Sequence, residues 1–442
     1  MNKRKPGLAI AISLAAIGFV QAQQPRPITL HEAIELGVKN SKQLKNSQAK
    51  IEEATAASKE ARNNQLPDAK VTGSYLWLSN ANVNLDLKTN NGGGGAAPRI
   101  SQAAYGIVNA SLPVYAGGRI RYGIEASRYL EEATRLDADN DKEQVIQNTV
   151  EAYVNLYKAK SSISLVRENL AEAQQRVKDF SNLEKNGLLA RNDLLSAQLQ
   201  ASNFELSLLD AENDAKLANV SMNILLGLPE STDLAPDSVI VKDSFALKAL
   251  DEYMQAAYTN RKDRAAVDLR KKASETGIKS ARAEYYPSLS LTGGYIAADI
   301  PNLVTITNAI TAGAGVSYNI GSLWKTKAKV QQAEARAKQA EISEGLLDDN
   351  IRLDVNHAYL NFLSSQKKVE VFGTAVEQAT ENYRILKNKY NNSLATLTDL
   401  LDANTKQLLE RMNLIFARAD ALVAYSRLLE ASGLLEENTN QQ

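Results

Sequence analysis

Few places in these 442 residues set side chains at a spacing that could do chemistry. His31-Glu32 opens like the zinc-binding H-E-x-x-H, in which two histidines one helical turn apart grip a metal. Glu35 stands where the second histidine is needed, and the other histidine of the chain is His357. Gly92 to Gly95 could cradle a phosphate, but no Lys-Ser/Thr follows and no βαβ unit surrounds them, so they read as a surface loop. There is no cysteine and no G-x-S-x-G, which leaves nucleophilic catalysis without apparatus. One pair remains. Asp399 and Asp402 are three apart and share a helix face, so in a symmetric oligomer they could be gathered into a ring of carboxylates that concentrates cations. The competing role for Asp399 is to complement the start of a helix begun at Thr396.

The elements that must position these residues are long and exposed. Aromatics make up only 6% of a chain rich in Ala, Leu, Gln, Asn, Glu and Lys, which argues against one thick hydrophobic core. Lys3, Arg4 and Lys5 precede the apolar run Leu8 to Val20, and Val20-Gln21-Ala22 offers a small-residue cleavage site. Residues 1–22 therefore read as a signal peptide. Lysine and arginine balance aspartate and glutamate at 51 each, so losing that segment leaves the exported chain slightly acidic, with no charge excess to attract nucleic acid. With no cysteine there is neither a disulfide framework nor a lipid-anchor residue, and no later apolar run is long enough for a membrane-spanning helix.

The sequence is written twice. Ala61, Arg62, Pro67, Thr72, Gly73 and Tyr75 reappear as Ala281, Arg282, Pro287, Thr292, Gly293 and Tyr295. Further on, Ala152-Tyr153, Asp193-Leu194-Leu195 and Gly227 reappear as Ala358-Tyr359, Asp399-Leu400-Leu401 and Gly433. Domain boundaries follow: a first repeat over 23–227, a connector over 228–244 broken by Pro229 and Pro236, a second repeat over 245–433, and a tail over 434–442. In each repeat a helix starts near Thr29 or Phe245 and breaks at Asn40 or Asn260. Thr29 with Glu32 fits the capping box. Helix gives way to strand at Pro67 and Pro287. Hairpins over about 68–115 and 288–320 then lead into uninterrupted helices over roughly 119 to 185 and 325 to 391, each about 100 Å long. Ile163, Val166, Leu170, Ala173, Val177 and Phe180 step by three and four, as do Val369, Phe372, Val376, Ala379, Tyr383 and Leu386, which marks a coiled-coil seam. Turns at Asn186-Gly187 and Asn391-Asn392-Ser393 send return helices back to Gly227 and Gly433.

The strands carry the decision. Ala81 to Lys88 alternates apolar and polar residues, so one face only is apolar. Such hairpins either pack as a soluble sheet on the helices or take a share in a membrane barrel. In lipid every backbone group must be paired, so four strands per chain cannot span alone and several chains must contribute; two would give eight strands and three would give twelve.

The duplicated plan, Pro67 and Pro287 at the helix-to-strand junctions, and the turns NGLLARNDLL and NSLATLTDLL resemble the TolC family of outer-membrane efflux proteins over nearly the whole mature chain. The resemblance implies a mainly α fold with a β-barrel part. It implies a homotrimer whose twelve-strand barrel sits in outer-membrane lipid and continues into a coiled-coil helical tunnel in the periplasm. It implies a passive exit duct, not an enzyme and without cofactor or metal. The duct would serve a tripartite efflux or type I secretion system and be coupled through a periplasmic adaptor (membrane fusion) protein to an inner-membrane transporter. On that resemblance Tyr390, Asp193, Asp399 and Asp402 belong to the periplasmic aperture, although Ala395 stands where the family places an arginine. Gly187, Leu188, Leu189, Ala190, Ser393, Leu394 and Ala395 would meet the adaptor; a locally packed turn is the plainer reading of these seven. The rival function is a periplasmic coiled-coil adaptor or scaffold.

Overall fold

The computed structural model describes residues 25–81, 100–237, 247–301 and 304–435. The segment 1–22 read as a signal peptide, residues 82–88 of the alternating run, Gly92 to Gly95, residues 238–244 of the expected connector and 436–442 of the expected tail lie outside them.

In chain order the elements are β1 (Arg26–Ile28), α1 (Leu30–Asn40), α2 (Lys42–Asn63), β2 (Asp68–Ala81), β3 (Ile100–Ala116), α3 (Arg119–Lys185), α4 (Arg191–Leu226) and β4 (Leu234–Pro236). The second half repeats the plan with α5 (Leu250–Asn260), α6 (Lys262–Arg282), a 3-10 turn (Ala283–Tyr285), β5 (Ser288–Ile300), β6 (Val304–Ser317), α7 (Ser322–Asn391) and α8 (Leu397–Ala431). Helices α1 and α5 break at Asn40 and Asn260, where the duplication places them; at the first break Ser41 caps α2 by accepting from the Leu44 amide at 3.2 Å. The capping box expected at the start of α1 is half formed. Thr29 Oγ1 accepts from the Glu32 amide, but the Glu32 carboxylate turns to Arg26 at 2.6 Å, a charged donor that outbids a backbone amide. No helix among the described residues is long and apolar enough to cross a membrane.

The described residues form two compact units. One gathers the described residues within Met1–Gly37, Glu151–Val241 and Thr374–Ala419. Seam residues of α3 stand in its core: Leu170 and Ala173, joined by Leu165 from outside the expected steps, pack with Phe204 of α4 and Leu408 of α8, while Phe180 packs with Leu194, Ala197 and Leu397. A third cluster joins Ile28, Ala33, Tyr153, Leu156, Met222, Leu226 and Leu234, all essentially sealed from water. Burying each Leu or Phe contributes about 1.5–3 kcal/mol. Strands β1 and β4 pair in parallel, Arg26 opposite Leu234, an element with no signature in the sequence. Buried asparagines of α4 fasten the connector: Asn219 donates to the Thr232 carbonyl and accepts from the Leu234 amide, and Asn223 also donates to Thr232.

The other unit gathers the described residues within Val38–Val150, Lys242–Gly373 and Asp420–Gln442 and holds the antiparallel sheet β2-β3-β5-β6. The inner strands come one from each repeat, and the outer edges of β2 and β6 have no neighbour among the described residues. Pro67 lies between α2 and β2, and Pro287 between the 3-10 turn and β5, where a residue without an amide hydrogen ends one ladder before the next begins. Charged pairs run between α6 and the early part of α7, such as Lys271 to Glu344 at 2.8 Å and Arg264 to Asp348 at 2.9 Å. Such pairs set helix register more than stability.

Candidate functional site

Three places carry functional geometry, the first being the sheet. Val71, Val108, Tyr295 and Ile310 face one another across all four strands, as do Lys70, Asn109, Gly294 and Thr311 one position along. Directly opposed residues share a face and neighbours in sequence alternate, so the first row and the second lie on opposite faces. Tyr75, Leu112, Leu291 and Val316 fall on the first face, and Asp68, Ser111 and Thr292 on the second. One face is therefore aliphatic and aromatic and the other largely hydroxyl, amide and glycine, the pattern of a wall between lipid and water.

The second place is the pair of helical turns. At the end of α3, Gly187 adopts φ +72°, its amide donates to the Glu184 carbonyl and the Leu188 amide reaches back to Leu183 at 2.9 Å. At the end of α7, Ser393 adopts φ +59° and the Ser393 and Leu394 amides make the equivalent bonds to Tyr390 and Lys389. This double closure satisfies the last carbonyls of each helix. It also aims the next side chain outward: Leu188 is 73% exposed and Leu394 76%. Leu189 and Ala395 are half-buried, and Leu189 packs beside Phe180. Ala190 is exposed and begins α4 without a side-chain cap.

The third place surrounds the aperture candidates. Tyr390 leans on Phe180 with ring centroids 6.1 Å apart, and burial, then the charge of Asp193, hold its hydroxyl in the neutral form above its usual range. Asp193 accepts from Asn192 at 3.0 Å in the first turn of α4. Asp399 closes a full capping box: its carboxylate accepts from the Thr396 amide and hydroxyl, and its own amide donates to Thr396 Oγ1 at 3.2 Å. Those bonds from Thr396 keep its pKa below the ordinary carboxylate range. Asp402 accepts from Lys406 at 2.7 Å, which offsets its charge.

Beside these lies a cluster the sequence did not announce. Tyr383 of α7 donates to Glu172 of α3, Arg176 donates to the Tyr383 oxygen at 3.2 Å, and Lys387 reaches Glu172 at 3.4 Å. Burial alone would raise Glu172, but the Tyr383 bond and the Lys387 and Arg176 charges outweigh it and hold the carboxyl below its usual range. The same burial, with the bond to Glu172, pushes Tyr383 far up. The signal available beforehand was a cation, Arg176, set inside an apolar seam between Ala173 and Val177.

The family described as outer membrane efflux protein matches residues 33–228 and 253–434, one stretch in each repeat. The chain belongs to the outer membrane efflux protein family. A curated relative, the outer membrane efflux protein BepC of Brucella suis biovar 1 (strain 1330), is 24% identical over 424 residues, covering 92% of this chain and 85% of BepC. Among solved structures, the CmeC outer membrane channel of Campylobacter jejuni aligns with TM-score 0.77 at 17% identity, covering all of this chain and 96% of CmeC. The open state of the MtrE outer membrane channel of Neisseria gonorrhoeae aligns with TM-score 0.74 at 19% identity, covering 92% of this chain and 89% of MtrE. As an outer membrane efflux protein, the chain works in transport at the outer membrane, and its two-faced sheet is the part chemically suited to lipid.

Proposed function

We propose that three copies of this chain close one twelve-strand barrel and form a passive exit duct of a tripartite efflux system, with energy supplied by an inner-membrane transporter. A periplasmic adaptor joins the two by docking on the turns that expose Leu188 and Leu394. The carrying observation is the sheet: one apolar face and two edges unpaired among the described residues, which lipid tolerates only when neighbouring copies close the ring. A coiled-coil adaptor, the rival reading, has no use for such a face. The role is transport and not catalysis.

In this reading residues 23–227 and 245–433 are the two structural repeats, 228–244 the connector and 434–442 the tail. The periplasmic entrance is lined by Tyr390, Asp193, Asp399 and Asp402, without a metal or cofactor. Because Lys406 sits on Asp402, threefold symmetry would gather about three net negative charges from Asp399 and Asp402 instead of six, with Asp193 adding about three more. Analytical ultracentrifugation of detergent-extracted protein tests the assembly: a trimer supports it, and a stable monomer with folded strands overturns it.

A further inference from the structure

Where the sheet meets the helices, a partly open cavity of about 270 Å³ is lined by Arg119, Glu284, Tyr286, Ser288, Ser322 and Lys329, among others. Helices α3 and α7 both begin here, with Arg119 and Ser322 as their first residues. Neither carries an acidic residue in its first turn; α3 opens with the cations Arg119 and Arg121, and on α7 Lys325, Lys327 and Lys329 follow over the first two turns. Cations at a helix N-terminus oppose the helix dipole and the unsatisfied amides, an arrangement that an anion between them relieves.

An independent observation points the same way. Ser322 is only 6% exposed, and its hydroxyl is buried with no hydrogen-bond partner. A sealed hydroxyl left unpaired beside a cavity is a donor awaiting an acceptor. Arg119 has no ion-pair partner among the described residues, whereas Lys329 bonds Glu284 at 2.6 Å. Two cations against one carboxylate leave one positive charge, which matches the single negative charge of a phosphodiester. Around the cavity Tyr115, Tyr286, Tyr318 and Trp324 are exposed, with Ile320 and Leu323 beside them. Amphipathic rings in this number mark the level of lipid headgroups.

We propose that this cavity binds the phosphate of a membrane phospholipid, with Arg119 and Lys329 supplying charge and the Ser322 hydroxyl a hydrogen bond, while the surrounding aromatics contact the glycerol and acyl chains. The proposal rests on the reading of the sheet as a barrel in lipid. The test is native mass spectrometry of the delipidated assembly titrated with dioleoylphosphatidylglycerol, dioleoylglycerol or inorganic phosphate, with channel conductance recorded on the same preparation. The phospholipid is expected to bind, dioleoylglycerol to be lost, and inorganic phosphate to compete only weakly. Arg119→Gln should lower phospholipid affinity about tenfold, the scale of one charge-assisted hydrogen bond, and Ser322→Ala by a smaller factor. Lys329→Gln provides a second charge variant should Arg119→Gln assemble poorly. Unchanged retention in the variants, equal retention of dioleoylglycerol, or full displacement by inorganic phosphate overturns the assignment. A parent that conducts but retains no phospholipid sinks this proposal alone, whereas one that neither conducts nor inserts sinks the barrel reading beneath it.

Discussion

Leu188 and Leu394 hold equivalent places in the two repeats, each following a left-handed residue and each leaving most of its side chain in solvent. Exposed leucines at matching turns fit a surface awaiting a partner better than a locally packed turn. Leu188→Asp with Leu394→Asp should abolish crosslinking to the adaptor while shifting stability by no more than about 0.5 kcal/mol, as surface changes do. Undiminished crosslinking would return these residues to a local role. Gly187→Trp is a poorer probe, since any side chain at φ +72° adds backbone strain of its own.

The Tyr153 hydroxyl donates to the Ile28 carbonyl at 2.8 Å and accepts from the Asp237 amide at 2.9 Å. Burial pushes its pKa up to about 12 from 10.0. A group whose folded pKa is raised stabilises fully below its unfolded value, and the gain, roughly 3 kcal/mol here, is lost as pH rises from 10 to about 12. Comparing denaturation midpoints of the parent and Tyr153→Phe across that window should show the gap between them closing. A gap constant through pH 12 would contradict the assignment.

Ile310 and Thr311 sit at nearly the same depth on opposite faces of β6. Ile310→Arg should impair membrane insertion, at a cost of roughly 2 to 4 kcal/mol if it lies near mid-bilayer, and Thr311→Arg should be tolerated. Assembly yields in outer-membrane fractions decide it, and the reverse ranking would exchange the two faces.

At the proposed entrance, the bonds from Thr396 keep Asp399 ionised into the acid range, so its charge and its helix cap both persist until pH falls through the lowered pKa. The pore should be cation-selective at neutral pH, and Asp399→Asn with Asp402→Asn should lower that selectivity. Reversal potentials in planar bilayers measure it. A double variant with the parent's reversal potential would leave Asp399 as a cap alone.

The long helices were legible because neither a proline nor a turn cluster interrupts roughly 119 to 185 or 325 to 391, and within them Ile163 to Phe180 and Val369 to Leu386 step by three and four. Gly227 and Gly433 marked the ends of the return helices because only a left-handed residue closes them, at φ +68° and +67°. The hairpins followed from the prolines and the matched Thr-Gly-x-Tyr segments. Strands β1 and β4 were not legible, since three residues carry no period, and their anchors Asn219 and Asn223 look like ordinary helix-surface amides until the connector folds onto them. The Glu172, Arg176 and Tyr383 cluster was hidden for a related reason: each residue fits its own helix, and the pairing exists only once α3 and α7 are known to be partners. The unpaired Ser322 hydroxyl is likewise a property of packing, invisible in a Gly-Ser-Leu-Trp string.

The central claim is that copies of this chain close a ring through the edges of β2 and β6, and the chain's lack of native cysteine allows a direct measurement. Single cysteines scanned along β2 and β6 in pairs, oxidised in outer-membrane fractions and resolved by denaturing electrophoresis with thiol counting, report which edges meet. A closed trimer predicts that matched pairs give one covalent three-chain species with no free thiol. Free monomers at every register, or an open-ended ladder that retains free thiols, would contradict it.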